Sequence, residues 1–238
     1  MQLMLARLSL RRVPKLICVR STAIQSAITE EQHALPKFNT ASVIMDDPQA
    51  HFRPMLPSAA AMLHVTLPAG AQFTCKPKAV VGCSTTLRTS LTLAGGLFAA
   101  IARKLSGGPF FLQTLSAIGG AGDAMVSPKY LGQVIVSVLN NHTDLFLRRG
   151  CFLAHSEGIR LNSRFLRTAD AGFMLRARGK GQLALSGYGA VAVIELSNGE
   201  DYVLSASHVV AWEGSLRVEP LLRSCGFLRR ITRGRGTY

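Results

Sequence analysis

The sequence predicts an all-β fold, in which three repeated β-modules follow an N-terminal presequence. Short runs of Val, Leu, Phe and Thr are separated by Gly, Pro, Asn and Asp, as is typical of strands joined by tight turns. Apolar residues recur at offsets of six and twelve from Leu67, from Leu139 and from Leu196. Because one such repeat is too small to bury its own apolar face, we expect the three modules to pack around a pseudo-threefold axis.

Residues 1–29 have the composition of a mitochondrial transit peptide. No acidic residue occurs between Met1 and Thr29, while basic residues are spaced among leucines and other apolar residues at Arg7, Arg11, Arg12, Lys15 and Arg20. An Arg-rich, Ser-rich, amphipathic segment is typical of import signals, whereas a secretory signal needs an uninterrupted apolar core. The alternative is a basic surface helix of the mature protein. We expect cleavage between residues 20 and 29.

A linker is predicted over residues 30–58, since four prolines interrupt this polar segment: Pro36, Pro48, Pro54 and Pro57. The three-module β-domain is then expected over residues 59–238.

Each module is predicted to begin with an alternating strand, followed by a turn, a second strand and a third apolar strand. The equivalent positions are Leu67, Phe73 and Ala79–Val81; Leu139, Leu145 and Cys151–Leu153; and Leu196, Tyr202 and His208–Val210. A G-x-G marks the same phase later in each module, at Gly120 and Gly122, at Gly179 and Gly181, and at Gly234 and Gly236. Since no βαβ unit surrounds them, we interpret these glycines as turn residues with positive φ or close backbone approach.

One short helix is predicted to interrupt the repeat. The apolar stretch from Leu91 to Ala102 is shorter than the roughly 20 residues that a membrane-spanning helix needs. A helix over residues 96–105 would place four apolar side chains on one side: Leu97, Phe98, Ile101 and Leu105. We take these four as candidates for contact with a membrane surface, and packing on the edge of the domain is the alternative.

The formal net charge of +14 is concentrated at the two ends of the chain, but a basic stretch also runs through the second module. Its members are Arg148, Arg149, Arg160, Arg164, Arg167, Arg176, Arg178 and Lys180. We predict that they contact an anionic partner, either acidic lipid headgroups or RNA phosphates, which attract arginine by the same electrostatics. Few aromatic residues accompany them, with Phe165 and Phe173 the only candidates for base stacking.

Enzyme chemistry has little support in the sequence. The six histidines include no H-x-H with a nearby Glu and a later His, the spacing that a cupin-type metal site needs. The segment from Ser186 to Gly189 lacks a G-x-S-x-G elbow. Five cysteines without a C-x-x-C pair are expected to be buried thiols. We therefore expect no catalytic residue, cofactor or metal, and a cupin-like enzyme is the third alternative.

Three segments resemble the altered inheritance of mitochondria protein 24 family: Phe152–Ile159, Ser186–Ala190 and Tyr202–Trp212. The resemblance covers about residues 60–238 and rests on strands and turns. It implies a TRAP-like fold, a pseudo-threefold double-stranded β-helix or sandwich similar to three fused subunits of the tryptophan RNA-binding attenuation protein. It also implies at least one further strand after Gly236, so whether the third module is truncated stays open.

The resemblance further implies a non-enzymatic scaffold or assembly factor in mitochondria. Family members are associated with the inner membrane, cristae organisation and respiratory complexes, and they bring no catalytic residues with them. We therefore expect inner-membrane protein complexes and anionic lipid as partners, without a transmembrane span. An RNA-binding module in mitochondrial gene expression is the alternative.

Overall fold

The structure is a computed structural model that describes residues 15–19, 49–55, 61–93, 98, 100–102, 109, 111–148, 150–166, 172–197, 199–220 and 228–233. Two strands precede the repeats, β1 (Lys15–Val19) and β2 (His51–Met55). All the remaining strands belong to three consecutive modules.

The modules share one order of strands. The first contains β3 (Met62–Leu67), β4 (Gln72–Cys75), β5 (Val80–Cys83), β6 (Leu87–Thr92), β7 (Leu112–Ala117) and β8 (Gly122–Val126). The second contains β9 (Val134–Leu139), β10 (Leu145–Leu147), β11 (Phe152–Ser156), β12 (Ile159–Leu166), β13 (Gly172–Gly179) and β14 (Gly181–Ser186). The third contains β15 (Val191–Glu195), β16 (Asp201–Ser205), β17 (Val209–Glu213), β18 (Leu216–Pro220) and β19 (Leu228–Arg233), with a 3-10 turn at Ala206–His208. The predicted all-β fold and the predicted threefold repeat are confirmed.

The sheets are built from halves of neighbouring modules. One six-stranded sheet has the order β6-β7-β4-β11-β14-β9, and another has the order β12-β13-β10-β17-β1-β15. Each of these two sheets contains the second, fourth and fifth strands of one module. Beside them lie the first and third strands of the next module and the strand that holds its sixth position. A three-stranded sheet, β16-β19-β18, and a four-stranded sheet, β2-β3-β8-β5, hold the corresponding halves of the third and first modules. This exchange gives the fold its pseudo-threefold character.

Alternation along the strands divides the core into three clusters. In β3, Leu63, Val65 and Leu67 are fully buried, while the residues between them are half-buried. The first cluster lies around the first module, the second lies around β10 to β14, and the third contains Trp212 beneath β16 and β18. Period-two burial of this kind is expected of sheets with one face on a core.

Strand β2 extends the folded region into the segment predicted as a linker. It pairs with β3, and Phe52 is buried with its ring 6.0 Å from the ring of Phe73. Pro54 is tolerated because β2 lies at the edge of its sheet, where one side of the strand needs no ladder hydrogen bond. Strand β1 lies inside the segment predicted as a presequence, whose targeting role stays a prediction.

The G-x-G glycines occupy the corner between the fifth and sixth strands of the modules. Gly120, Gly179 and Gly181 have positive φ values of 126°, 134° and 151°. A Cβ atom on Gly179 would lie 2.0 Å from the carbonyl oxygen of Gly158. The interpretation of these residues as turn and close-approach glycines is confirmed in the first two modules, and Gly234 and Gly236 lie outside the described residues.

Candidate functional site

The predicted anionic-partner residues meet on the β12–β13 hairpin. The register sets Arg160 opposite Arg178, Asn162 opposite Arg176, and Arg164 opposite Met174. Because side chains alternate along a strand, these residues share one face, while Ile159, Leu161, Leu175 and Ala177 lie buried on the other. We call Arg160, Arg164, Arg176 and Arg178 the basic face. The core on one side of the hairpin thus positions four guanidinium groups on the other.

Among the described residues, one carboxylate forms ion pairs with the basic face. The guanidinium of Arg176 forms an ion pair with Asp144, and Nε of Arg178 lies 3.6 Å from the second carboxylate oxygen of Asp144. The Arg176 side chain is 16% exposed, and its Nε is buried without a hydrogen-bond partner among the described residues. Arg160 and Arg164 are exposed, and no carboxylate among the residues that the structure describes pairs with them. The basic face therefore retains excess positive charge at the surface.

The neighbouring basic residues lie in different settings. Lys180 is exposed in the corner between β13 and β14, where its backbone N–H donates to the Gly158 carbonyl at 3.2 Å. The guanidinium of Arg148 instead donates to the carbonyl of Ser207 in the third module, so it joins two modules. Arg149 and Arg167 lie outside the described residues.

The aromatic side chain that the structure describes beside the basic face, Phe146, packs towards the interior of the domain. The backbone register sets Phe165 opposite Phe173, at positions that alternate with those of the arginines. Phe146 lies opposite Arg176, but its ring stacks on Trp212 at 5.9 Å, and Trp212 is buried. Sequence reasoning missed this pair, because Phe146 and Trp212 are 66 residues apart in the chain. Base stacking of the kind found in single-strand binders needs exposed rings.

The exposed apolar residues in the described part of the chain include two groups that lie outside the strands. Residues 98 and 100–102 are helical, with Phe98 88% exposed, Ile101 43% exposed and Ala100 buried. Leu97 and Leu105 lie outside the described residues. In the part of the chain that the structure describes, no helix has the length and apolar character needed to cross a membrane.

The second apolar site was not predicted. Tyr130, Leu131 and Tyr188 are all exposed, the two tyrosine rings meet edge to face at 6.5 Å, and Nζ of Lys129 lies 5.3 Å from the Tyr130 ring centre. We call these four residues the tyrosine patch. Two loops carry it, and a bridge between Gly132 and Gly189 holds them together. The two loops are 58 residues apart between Tyr130 and Tyr188, and neither has strand periodicity, so no local sequence pattern predicts that their rings meet.

The polar cluster around Asp123 has hydrogen bonds that stabilise the fold, and its geometry is not that of a catalytic site. Asp123 accepts hydrogen bonds from Ser84 and lies 3.3 Å from Nε2 of His64. The carboxylate, not the imidazole, lies in the middle of this group, so His64 does not contact the serine hydroxyl as a general base must. No three or more His, Cys, Asp or Glu side chains gather as a metal site within the described ranges.

Burial also governs the titration of the thiols and of one histidine. Burial raises the pKa of Cys75 to about 12 and that of Cys151 to about 11, with Arg148 and Lys76 opposing the shift at Cys151. Thiols of this kind are unreactive at neutral pH. Cys83 is exposed, contrary to the expected burial of the cysteines. Burial lowers the pKa of His155, whose Nδ1 contacts the Ser156 carbonyl at 2.7 Å.

Fold and site together define a class of protein, a three-module all-β pseudo-trimer with a basic face on its second module. A family profile described as mitochondrial biogenesis AIM24 matches residues 55–237, and the chain belongs to that family. The predicted family is thereby confirmed, and membership links the chain to mitochondrial biogenesis. A comparison with curated protein sequences found no match.

A solved structure supports the fold independently. The crystal structure of protein SPYM3_0169 from Streptococcus pyogenes is similar to this chain with a TM-score of 0.63 and 20% sequence identity. The similarity covers 78% of this chain and 90% of the bacterial one. At this identity the likeness concerns the fold alone.

Proposed function

We propose that this protein is a non-enzymatic scaffold or assembly factor at the mitochondrial inner membrane, where it supports cristae organisation and respiratory complexes. Its basic face binds anionic lipid headgroups, and its exposed apolar residues enter the interfacial layer. Family membership supports the mitochondrial setting, and the observation that carries the lipid-binding part is the charge difference between equivalent hairpins.

Comparison of the equivalent hairpins shows that two facing arginines occur at this position in the second module alone. Arg88 in β6 has the position of Arg160, but the residue opposite Arg88 is Ser116, where the second module has Arg178. The third module has Arg217 at this position, within 2.6 Å of Glu219. The repeat itself therefore does not require four arginines. Since like charges directly opposite each other destabilise a sheet, Arg160 facing Arg178 indicates a binding role rather than a structural one.

The exposed apolar sites support contact with a bilayer. Phe98 projects from the helical residues, and the tyrosine patch combines aromatic rings with a lysine. Aromatic residues beside lysine are typical of the membrane–water interface, and a basic surface adds attraction to anionic lipids.

Flotation of the full chain with cardiolipin-containing vesicles tests the proposal. Neutralising two exposed arginines, Arg160→Gln with Arg164→Gln, is expected to weaken binding about 30-fold, at about 1 kcal/mol for each charge. The matched control is Arg88→Gln with Arg217→Gln, which removes two arginines at equivalent positions of the other modules and should change binding little. Equal losses in both double variants would show that total charge, not the basic face, determines binding.

The RNA-binding alternative uses the same arginines. The two functions are therefore distinguished by the partners that co-purify with the protein. Tagged protein is purified from mitochondria in mild detergent, with and without nuclease. Cristae-organising or respiratory-complex subunits that persist after nuclease support the scaffold. Ribosomal or RNA-processing proteins that disappear with nuclease would contradict it and favour the alternative.

A further inference from the structure

In the third module, strand β1 occupies the place that the sixth strand holds in the first two modules. In the first module β8 lies between β3 and β5, and in the second β14 lies between β9 and β11. In the third module the corresponding place, between β15 and β17, is held by Lys15–Val19. The strand comes from the opposite end of the sequence, yet it has the same two neighbours.

The register with the first strand of each module is the same residue for residue. Val65 pairs with Ala124 and Ser137 pairs with Leu183, and their equivalent Ile194 pairs with Leu16. The same agreement holds two residues earlier in each first strand. There the pairs are Leu63 with Val126, Ile135 with Leu185, and Ala192 with Cys18. A chance β-contact would have no reason to adopt this offset, because slipping by one residue would exchange the two faces.

The pairing with the third strand reproduces even an irregularity. β5 skips Val81 opposite β8, β11 skips Leu153 opposite β14, and β17 skips Val210 opposite β1. These three residues hold the same position in the repeat. A bulge shared at one position in all three modules shows that β17 is shaped to receive a sixth strand.

The sequence of β1 suits this place. Leu16 and Cys18 have the register positions of Ala124 and Val126 in the first module, which are both buried. The corresponding Leu183 and Leu185 of the second module are buried as well. Without β1, β15 and β17 would each have a strand edge with no partner among the described residues, and unpaired N–H and C=O groups at such an edge are a template for unwanted association.

We propose that Lys15–Val19 is a permanent strand of the folded domain, and that import processing, where it occurs, removes residues only from the segment before Lys15. The targeting signal and the sixth strand of the third module then overlap in sequence, and the folded domain sets the limit of cleavage. This goes beyond the scaffold proposal and does not depend on lipid binding.

The first test determines the N-terminus of the protein isolated from mitochondria, by mass spectrometry of the intact chain. A mature chain that starts at or before Lys15 is the expected result. A start after Lys15, and especially within residues 20–29, would overturn the proposal.

The second test measures the pairing itself in purified full chain. Cys18 lies opposite Ala192, so Ala192→Cys places two thiols on facing residues whose Cα atoms are about 4.5–5.5 Å apart in an antiparallel pair. A short bifunctional thiol reagent should join positions 18 and 192, as identified by peptide mass. The matched control is Val193→Cys, whose facing residue is Ile17. Equal or absent coupling of Cys18 in the two variants would overturn the proposal.

Discussion

At the residue scale, backbone contacts at two glycines make the corner between β12, β13 and β14. A Cβ atom on Gly158 would lie 2.1 Å from the carbonyl oxygen of Lys180, one on Gly179 would lie 2.0 Å from that of Gly158, and Gly179 has a φ of 134°. This conformation is difficult for any residue with a Cβ atom. The corner is therefore more sensitive to substitution than its exposure suggests.

Gly179→Ala is expected to destabilise the protein by roughly 3 kcal/mol, since backbone strain and a clash with the Gly158 carbonyl add together. Gly82→Ala is the control, because a Cβ there would meet only Met125 Cε at 3.8 Å. Urea unfolding of both variants checks the difference. Equal stability of the two would show that the corner relaxes without cost.

The buried His155 makes stability depend on pH. Its pKa is lowered from 6.5 by burial, so the folded state holds it neutral while the unfolded state protonates it below about pH 6.5. The unfolded state then binds more protons, and stability is expected to fall as pH decreases below 6.5 towards the folded-state pKa. This contribution to stability is fully present above about pH 6.5, the unfolded-state value.

Unfolding free energies measured between about pH 8 and about pH 5 check this. In His155→Gln the decrease over that interval should be smaller than in the parent chain. His142→Gln, at an exposed turn, serves as the control. An unchanged pH slope in His155→Gln would assign the dependence to other groups.

At the scale of elements, the third module is completed by a strand from the other end of the chain. Ile17→Pro is expected to lower stability by about 3 kcal/mol, because β1 lies between two strands and proline cannot donate to the ladder. For a chain of this size that corresponds to a decrease in Tm of roughly 6–12 °C. Ile17→Val keeps a β-branched side chain and should leave Tm nearly unchanged, as thermal unfolding can show. A proline variant as stable as the valine variant would mean that β1 adds nothing to the fold.

The elements that could be predicted from sequence are those with local signals. Alternation around Leu67, Leu139 and Leu196 located the first strands, and turn glycines such as Gly120 and Gly179 marked the last ones. Pairing of β1 with β15 joins residues far apart in the chain, and no local pattern records such a contact. Pro54 and the neighbouring prolines predict a linker where β2 lies, because sequence alone does not show that this strand is at a sheet edge, where proline is tolerated.

The candidate site was predictable in part for the same reason. Arg160, Arg164, Arg176 and Arg178 alternate with apolar residues on a hairpin, so their common face follows from strand period. The engagement of Arg148 with Ser207 depends on packing between modules and has no sequence signal. The counter-ion Asp144 likewise reaches Arg176 only through the β10–β13 pairing.

At the scale of the whole molecule, shared sheets couple the modules. β4 of the first module pairs with β11 of the second, and β10 of the second pairs with β17 of the third. Unlike a linear repeat array, in which an end unit can unfold alone, this arrangement makes each module part of a neighbour's sheet. We therefore expect a single cooperative transition.

Phe73→Ala tests this coupling, since Phe73 is fully buried in the first module while the single tryptophan, Trp212, lies in the third. The substitution should cost about 3–5 kcal/mol, and it should shift the unfolding midpoint reported by Trp212 fluorescence as much as the midpoint reported by circular dichroism. Phe98→Ala, at a side chain 88% exposed, is the control and should shift neither. If Phe73→Ala moved the circular dichroism transition but left the Trp212 transition in place, the modules would unfold independently. The exchange of strands between sheets would then position the basic face without coupling its stability to the rest of the domain.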